Sequence, residues 1–332
     1  MTTRRQFMTG TLAGAVAGTL AGMTRAAAQT GTQIRISTAA PPSDFLAKAL
    51  EELKADVEGA KVGLNVSVHP ASTLFKQGTE VQALQRGNLE MSTMSSFEVA
   101  QQIPSLGLFN RGYLFRDYAH MRRVFDGPIG AEYRAAVAEK MGIEILATHY
   151  LGTRQVNLRQ KRAVKTPADL AGVKMRMPAG PEWLLLGRSL GVSPVPLGMP
   201  EIYLALKTGT VDGQENPLSI LNAAKFYEVS EQVVLTAHMV QPVFFNIAKP
   251  AWDKLNDAQK TALKDAALKA AESGSDNRLA DETSITTALK QRGLAVEAID
   301  LAPFRAAADQ VYAGSEIVKS WDKALLERVV AG

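Results

Sequence analysis

The chain has 332 residues, enough for two ordinary domains, and 46% of them are apolar, which argues against a disordered or fibrous protein. It contains no cysteine, which excludes disulfides, thiolate catalysis and cysteine-ligated zinc. The formal net charge is +4, but residues 1–28 carry three arginines and no acid. Without them the charge is about +1, so we expect no basic surface for nucleic acid.

Residues 1–28 have the pattern of an export signal. Arg4 and Arg5 precede Phe7, an uncharged stretch covers 9–24, and small residues end at Ala28. This order is typical of a secretory signal, and the paired arginines resemble the twin-arginine type, although the general secretory route stays open. The apolar run of about 16 residues is shorter than the ~20 that span a bilayer. We therefore expect cleavage near Ala28 and a periplasmic protein without a membrane-spanning segment.

Strand and helix patterns alternate through the next part of the chain. Polar and apolar residues alternate at 33–37, 62–68 and 89–93, which predicts three strands. Asp44 precedes an apolar stripe at helical spacing that ends at Gly59, and a second helix is predicted at 78–86. Three strands joined by helices and short links predict a parallel sheet covered by helices.

The second half repeats this design. Strands are predicted at 143–148, 173–177 and 192–195, helices at 182–190 and 201–207, and extended chain at 210–213. The helix before Gly87 resembles the helix before Gly209, and each is followed by a strand that carries an acid. Chance similarity explains this match equally well. The hypothesis is two α/β lobes of similar design, and an unrelated topology in the two halves would contradict it.

The end of the chain is mostly helical in pattern. An apolar stripe from 255 to about 290 predicts a long helix or a helix pair, longer than one lobe needs, so we expect it to brace both. A late strand is predicted around 294–299 and a closing helix at 304–326.

A search for catalytic motifs finds nothing specific. The histidines are His69, His120, His149 and His238, and none has the spacing of a metal ligand pair. The chain has no nucleophile elbow, no phosphate-binding loop and no dinucleotide fingerprint. We therefore expect no catalytic residues, no cofactor and no metal site.

The strongest candidate for ligand binding is Arg176. In the strand at 173–177 it lies on the face opposite the apolar residues, and Pro178 ends the strand immediately after it. Ligands of α/β sheets bind at the carboxyl ends of strands, and a guanidinium can hold a carboxylate through two parallel hydrogen bonds. A solvated arginine on an edge strand explains the pattern equally well. Arg154 and Asn216, each predicted just after a strand, favour the binding site.

Several segments, in this order along the chain, resemble the extracytoplasmic solute-binding proteins of tripartite ATP-independent periplasmic (TRAP) transporters, the DctP-like family. The matching segments are 70–75, 85–91, 113–117, 152–155, 169–176, 201–206, 211–213 and 214–217. Each is modest alone, but the ordered set is specific and covers almost the whole chain after the signal.

The resemblance implies an α/β, two-lobed periplasmic binding protein fold with discontinuous lobes, crossing strands and a long hinge helix. Lobe I is expected at 29–151 plus about 242–281, and lobe II at 152–241 plus about 282–332. The implied function is capture of a small organic acid by hinge closure and its delivery to the membrane subunits of a TRAP transporter. A monomer without enzymatic activity is expected.

The resemblance also implies a site. Arg176 matches the arginine that pairs with the substrate carboxylate, Arg154 a second arginine that often joins it, and Asn216 a polar residue that positions the same group. Expected contacts from the first lobe are Glu80, Ser95, Ser96 and Phe97. Tyr150 and Trp183 are expected as an apolar wall, although core packing explains both at least as well. The segment at 70–78 lacks the glycines usual in the family, so the acid itself stays open.

Two other functions stay open. An exported cofactor-dependent enzyme fits a twin-arginine signal, and a metal and cofactor assay on the purified protein distinguishes it. A ligand-sensing module for a membrane receptor would share the same site. Neighbouring transporter genes would favour uptake over sensing.

Overall fold

A computed structural model describes residues 31–332, and the predicted export signal lies outside these residues. The strands are β1 (Thr32–Ser37), β2 (Leu64–His69), β3 (Met91–Ser95), β4 (Ile143–Leu158), β5 (Lys174–Met177), β6 (Ser193–Pro196), β7 (Gly213–Pro217), β8 (Gln232–Ala248) and β9 (Ala295–Ala298). The helices are α1 (Phe45–Gly59), α2 (Glu80–Gln85), α3 (Ser96–Gln102), α4 (Tyr118–Asp126), α5 (Pro128–Met141), α6 (Pro181–Ser189), α7 (Ile202–Thr208), α8 (Leu218–Ala223), α9 (Lys249–Trp252), α10 (Asp257–Gln291), α11 (Ala302–Ala313) and α12 (Lys323–Ala331).

The strands form one mixed sheet in the order β2-β1-β3-β8-β4-β7-β5-β6, and β9 pairs with β8. On one side β1 pairs in parallel with β2 and β3, and β3 pairs antiparallel with β8. On the other side β5 pairs in parallel with β6 and β7, and β7 pairs antiparallel with β4. We call these the β1–β3 side and the β5–β7 side. Their shared topology confirms the prediction of two α/β units of similar design.

Two long antiparallel strands, β4 and β8, join the two sides. β8 pairs with β9 at its start and with β3 at its end, while β4 pairs with β7 through its second half. The register of the β4–β8 pair shifts three times, once between Tyr150 and Gly152. Gly152 has a φ of +121°, and a Cβ there would lie 2.6 Å from Cβ of Pro217. The bend therefore requires glycine, and it comes two residues before Arg154.

Helix α1 covers the sheet on the β1–β3 side, and α10 packs on α1, on β4 and on α8, which follows β7 on the other side. Asp44 caps α1 by accepting a hydrogen bond from the backbone N–H of Leu46, as its position before the apolar stripe predicts. The pattern at 255–290 allowed one helix or two, and α10 is one helix of 35 residues. A Cβ at Gly274 would lie 2.8 Å from Cβ of Ala49 and from Cε1 of His149, so glycine lets α10 approach both α1 and β4.

The apolar core forms three clusters that follow the sheet. One joins β1, β2 and α1 to α10 and to α7 and α8, and a second packs β3 against α3, α4 and α5. The third packs β5 and α6 against the ends of β4 and β8. No helix within 31–332 is both long enough and apolar enough to cross a membrane.

The predicted closing helix at 304–326 is wrong. Helix α11 stops before Gly314, and α12 starts anew after Asp322, whose side chain accepts a hydrogen bond from the backbone N–H of Leu325. Helix α12 then packs against α4 and α5: Nε2 of His120 lies 2.8 Å from the carbonyl oxygen of Val329. The predicted lobe boundaries, which place 282–332 in lobe II, stay a prediction.

Candidate functional site

A cleft opens where the carboxyl ends of the parallel strands from both sides meet the long strands β4 and β8, and the empty space inside it, open solvent included, is about 690 Å³. Its lining includes Thr38, Glu80 and Ser95 from the β1–β3 side and Arg176, Trp183 and Asn216 from the β5–β7 side. Side chains distant in sequence therefore converge on one space.

Arg176 lies on β5, where the sequence predicts it, and its side chain is only 1% exposed. Its Nε donates to the carbonyl oxygen of Leu197 at 2.8 Å, and its Nη2 donates to Oε1 of Gln77 at 3.2 Å. No carboxylate of residues 31–332 is within ion-pair distance of this guanidinium. Burial lowers the pKa of Arg176 to about 9, so it remains protonated at neutral pH. The cleft therefore contains a buried cation whose direct partners are neutral.

Arg154 also lines the cleft, but its predicted position after a strand is wrong, because β4 continues to Leu158. Its guanidinium forms a two-pronged ion pair with Glu215, with Nη2 donating to Oε1 at 2.6 Å. Its Nη1 donates to Oε1 of Gln241 at 2.6 Å, and its guanidinium carbon lies 4.9 Å from the ring centre of Trp183. Arg154 is thus held rigidly, and its charge is already matched.

Glu215 and His238 complete this buried group. Nε2 of His238 lies 3.0 Å from Oε2 of Glu215. Burial lowers the pKa of His238 even though Glu215 opposes this, so the imidazole is neutral at neutral pH. Burial opposes ionisation of Glu215, but Arg154 and the hydrogen bond from His238 outweigh it and lower the pKa of Glu215. Arg154 and Glu215 together therefore contribute no net charge.

Asn216 lies inside β7, not after a strand as the sequence analysis predicts. Its Nδ2 donates to Oε1 of Gln214 at 2.6 Å, and Nε2 of Gln214 donates in turn to Oδ1 of Asn157 at 3.2 Å. This chain of amides fixes the orientation of the Asn216 side chain at the cleft.

The wall on the β1–β3 side carries two acids, the buried Glu80 and the half-buried Glu98, and several hydroxyls. Oε2 of Glu80 accepts from the backbone N–H of Gly78 at 2.7 Å, and burial raises the pKa of Glu80 to about 7. Glu98 accepts from the backbone N–H of Ser95 at 2.9 Å, and burial raises the pKa of its carboxyl too. Oγ1 of Thr38 lies 2.9 Å from Oγ1 of Thr93. This wall is polar and carries no cation among its described lining residues.

Three predicted site residues do not line the cleft. Ser96 donates to Oδ1 of Asn110 at 2.7 Å, inside the core. Phe97 stacks on Trp183 with ring centres 3.4 Å apart, so it supports the wall without forming it. The hydroxyl of Tyr150 lies 2.7 Å from Oε1 of Glu282, on the side of β4 that faces α10. Neighbours on a helix or strand point in different directions, which explains these differences.

The cleft is also lined by five residues that no sequence pattern singled out: Thr38, Gln77, Thr93, Glu98 and Gln241. Thr38 directly follows β1, so the rule applied to Arg176 could have found it. Gln77 lies between β2 and α2, where no periodicity marks it. Within 31–332 no cluster of three His, Asp or Glu side chains could hold a metal ion.

The sequence model of the bacterial extracellular solute-binding proteins, family 7 (DctP), matches residues 36–319. The chain belongs to this family. A solute-binding protein of Verminephrobacter eiseniae is 36% identical over 306 residues, which cover 92% of this chain and 90% of the relative.

Solved structures of TRAP solute-binding proteins have the same fold. One from Roseobacter denitrificans, with bound 3-deoxy-D-manno-oct-2-ulosonic acid (KDO), is 39% identical with a TM-score of 0.87, covering 91% of this chain and 99% of the other. A second from the same species, with bound L-galactonate, is 27% identical with a TM-score of 0.83, covering 90% and 99%. The chain is therefore a TRAP solute-binding protein with the two-lobed periplasmic binding protein fold, as the resemblance implies.

The ion pair inside this TRAP protein can be tested through Glu215→Ala. The substitution leaves Arg154 buried without its partner, so we expect the free energy of unfolding to fall by about 3–5 kcal/mol in urea titrations. Glu132→Ala is the control, because Glu132 pairs with Arg328 on the surface. The assignment is wrong if both variants unfold at the same urea concentration.

The raised pKa of Glu80 predicts a pH effect. Between the ordinary value of 4.5 and about 7, the carboxyl binds protons more strongly in the folded chain than in the unfolded chain. Stability from this group therefore falls as pH rises through that window. Glu80→Gln keeps an acceptor oxygen but cannot ionise.

We expect the difference in melting temperature, Glu80→Gln minus wild type, to increase as the pH rises from 4.5 to 7.5. The exposed Glu51→Gln should show no such gain. If the melting temperatures of all three proteins change by the same amount across this pH range, the burial of an ionisable Glu80 is contradicted.

Proposed function

We propose that this protein captures a small sugar acid, a polyhydroxylated acid with a single carboxylate, and delivers it to the membrane subunits of a TRAP transporter. The observation that carries the proposal is the buried guanidinium of Arg176, which has no carboxylate partner among the described residues. A ligand carboxylate is the group that matches its charge and its paired N–H donors.

The charges in the cleft favour one carboxylate over two. Arg154 pairs with Glu215, so among the described lining residues Arg176 is the one cation without a carboxylate within ion-pair distance. A second carboxylate would face the wall with Glu80 and Glu98, whose described lining residues include no cation to pair with it. A dicarboxylate therefore fits this cleft less well than a monocarboxylate.

Neutral polar groups in the cleft suit the hydroxyls of a sugar acid. Thr38, Thr93 and Ser95 offer hydroxyls, and Asn216 and Gln241 offer amides. The raised pKa of Glu80 lets its carboxyl donate or accept near neutral pH. The bound molecules of the two Roseobacter structures, KDO and L-galactonate, each combine one carboxylate with several hydroxyls, which supports this class.

Capture follows from hinge closure of the two lobes. The lobes are those of the predicted boundaries near 151, 241 and 281, with α12 packed on the first lobe. Phe97 of the first lobe stacks on Trp183 of the second, so the two walls meet beside the cleft. Closure removes water, which strengthens the contact between Arg176 and the acid. The acid shifts the equilibrium by its greater affinity for the closed form.

The protein acts in the periplasm as a monomer after its signal is removed near Ala28. The family is extracellular by description, which supports export, and the signal pattern of residues 1–28 supports the twin-arginine route. Delivery to TRAP membrane subunits follows from family membership.

Binding is tested with a panel of KDO, L-galactonate, D-glucuronate, succinate and mannitol in thermal-shift and calorimetric titrations. We expect at least one of the sugar acids to raise the melting temperature more than succinate, and mannitol to have no effect. Arg176→Ala should weaken the best sugar acid by about 3 kcal/mol, roughly a hundredfold in Kd. Arg188→Ala, on the exposed face of α6, should bind like the wild type.

Tighter binding of succinate than of any sugar acid would contradict the single-carboxylate class. Unchanged binding by Arg176→Ala would contradict the site.

Export is tested by replacing Arg4 and Arg5 with Lys in the full chain and fractionating the cells. If the twin-arginine route is used, the double variant should accumulate in the cytoplasm while the wild type reaches the periplasm. Arg25→Lys is the control, because it makes the same replacement near the cleavage site and outside the Arg4–Arg5 pair. Periplasmic recovery of the double variant at the wild-type level would indicate the general secretory route instead.

A further inference from the structure

The side chain of Gln77 connects the two sides of the cleft. It belongs to the loop between β2 and α2, on the β1–β3 side. Its Oε1 accepts from Nη2 of Arg176 at 3.2 Å and from the backbone N–H of Met199 at 2.8 Å, both on the β5–β7 side. One amide oxygen therefore holds the ligand-binding arginine and a neighbouring backbone group across the cleft.

The amide oxygen of Gln77 accepts this hydrogen bond as a carboxylate oxygen would, but it carries no negative charge. An amide oxygen accepts hydrogen bonds from a guanidinium but does not neutralise it. The other partner of Arg176, the carbonyl oxygen of Leu197, is also neutral. Glutamate has nearly the same shape as glutamine but carries a negative charge. The identity of residue 77 therefore decides whether Arg176 is free to pair with an acid.

We propose that Gln77 is a specificity-determining residue: its neutral oxygen positions Arg176 and joins the two lobes, while leaving the positive charge available to a ligand carboxylate. The inference rests on the proposed function and extends it to a residue outside the predicted site. A carboxylate at position 77 would form an ion pair with Arg176. It would then compete with the ligand carboxylate for this guanidinium.

Gln77→Glu tests this, with Gln82→Glu as the matched control, because Gln82 is exposed on α2 and takes the same charge change outside the cleft. Without any acid present, we expect Gln77→Glu to melt several degrees above the wild type, because a buried cation gains a partner. In calorimetry with KDO, L-galactonate and D-glucuronate, it should bind at least tenfold more weakly than the wild type. Gln82→Glu should change neither measurement.

A double-mutant cycle with Arg176→Met separates the ion pair from any other effect of the substitution. In the Arg176→Met background, Gln77→Glu should not raise the melting temperature. The inference is overturned if Gln77→Glu melts at or below the wild type, if its gain persists without Arg176, or if it binds an acid of the panel as tightly as the wild type.

The melting comparison needs no ligand, so it tests the pairing of residue 77 with Arg176 even when the wild type binds none of the three acids. Absence of binding by the wild type would count against the proposed sugar-acid class alone.

Discussion

The cation of Arg176 is the constraint around which the cleft is organised. Transferring a guanidinium from water into a protein interior costs several kcal/mol unless a counter-charge accompanies it. Three arginines are buried within 31–332, and two of them have such a partner: Arg154 pairs with Glu215, and Arg278 pairs with Asp44 at 2.6 Å. Arg176 differs from both, since neutral oxygens alone contact it. The remainder of the fold stabilises an arrangement that favours binding of an anion.

The sheet topology explains how such a site is assembled. Each side of the sheet directs the carboxyl ends of its parallel strands toward the same cleft, and β4 and β8 run through both sides. Arg154 and Gln241 come from these long strands. Arg176 and the wall with Glu80 belong to opposite sides, so we expect hinge closure to change the distance between them.

The alternation of strand and helix patterns predicted the two similar α/β units, and Pro178 correctly placed Arg176 at the end of its strand. The full length of β4 was not predictable, because the apolar–polar alternation is already lost at Leu146 and Ala147 and Gly152 then bends the strand. The neutralisation of Arg154 was hidden for another reason: Glu215 is 61 residues away in sequence. Local sequence patterns predict the position of a residue on its strand or helix. The partners of its side chain depend on tertiary contacts. The closing helix was wrong for a local reason, since Gly314 ends α11 and Asp322 caps α12, and both residues are readable as stop and start signals.

We propose that the wall with Glu80 selects the acid. If a carboxylate binds at Arg176, this contact discriminates poorly among acids, because every carboxylic acid offers the same group. Discrimination requires groups that other acids leave unpaired, and a buried polar group without a partner costs about 1–3 kcal/mol. Glu80, Thr38 and Thr93 bond within the wall, and each can form a further hydrogen bond with a ligand hydroxyl. We therefore expect an acid without hydroxyls at their positions to bind more weakly, even if its carboxylate pairs with Arg176.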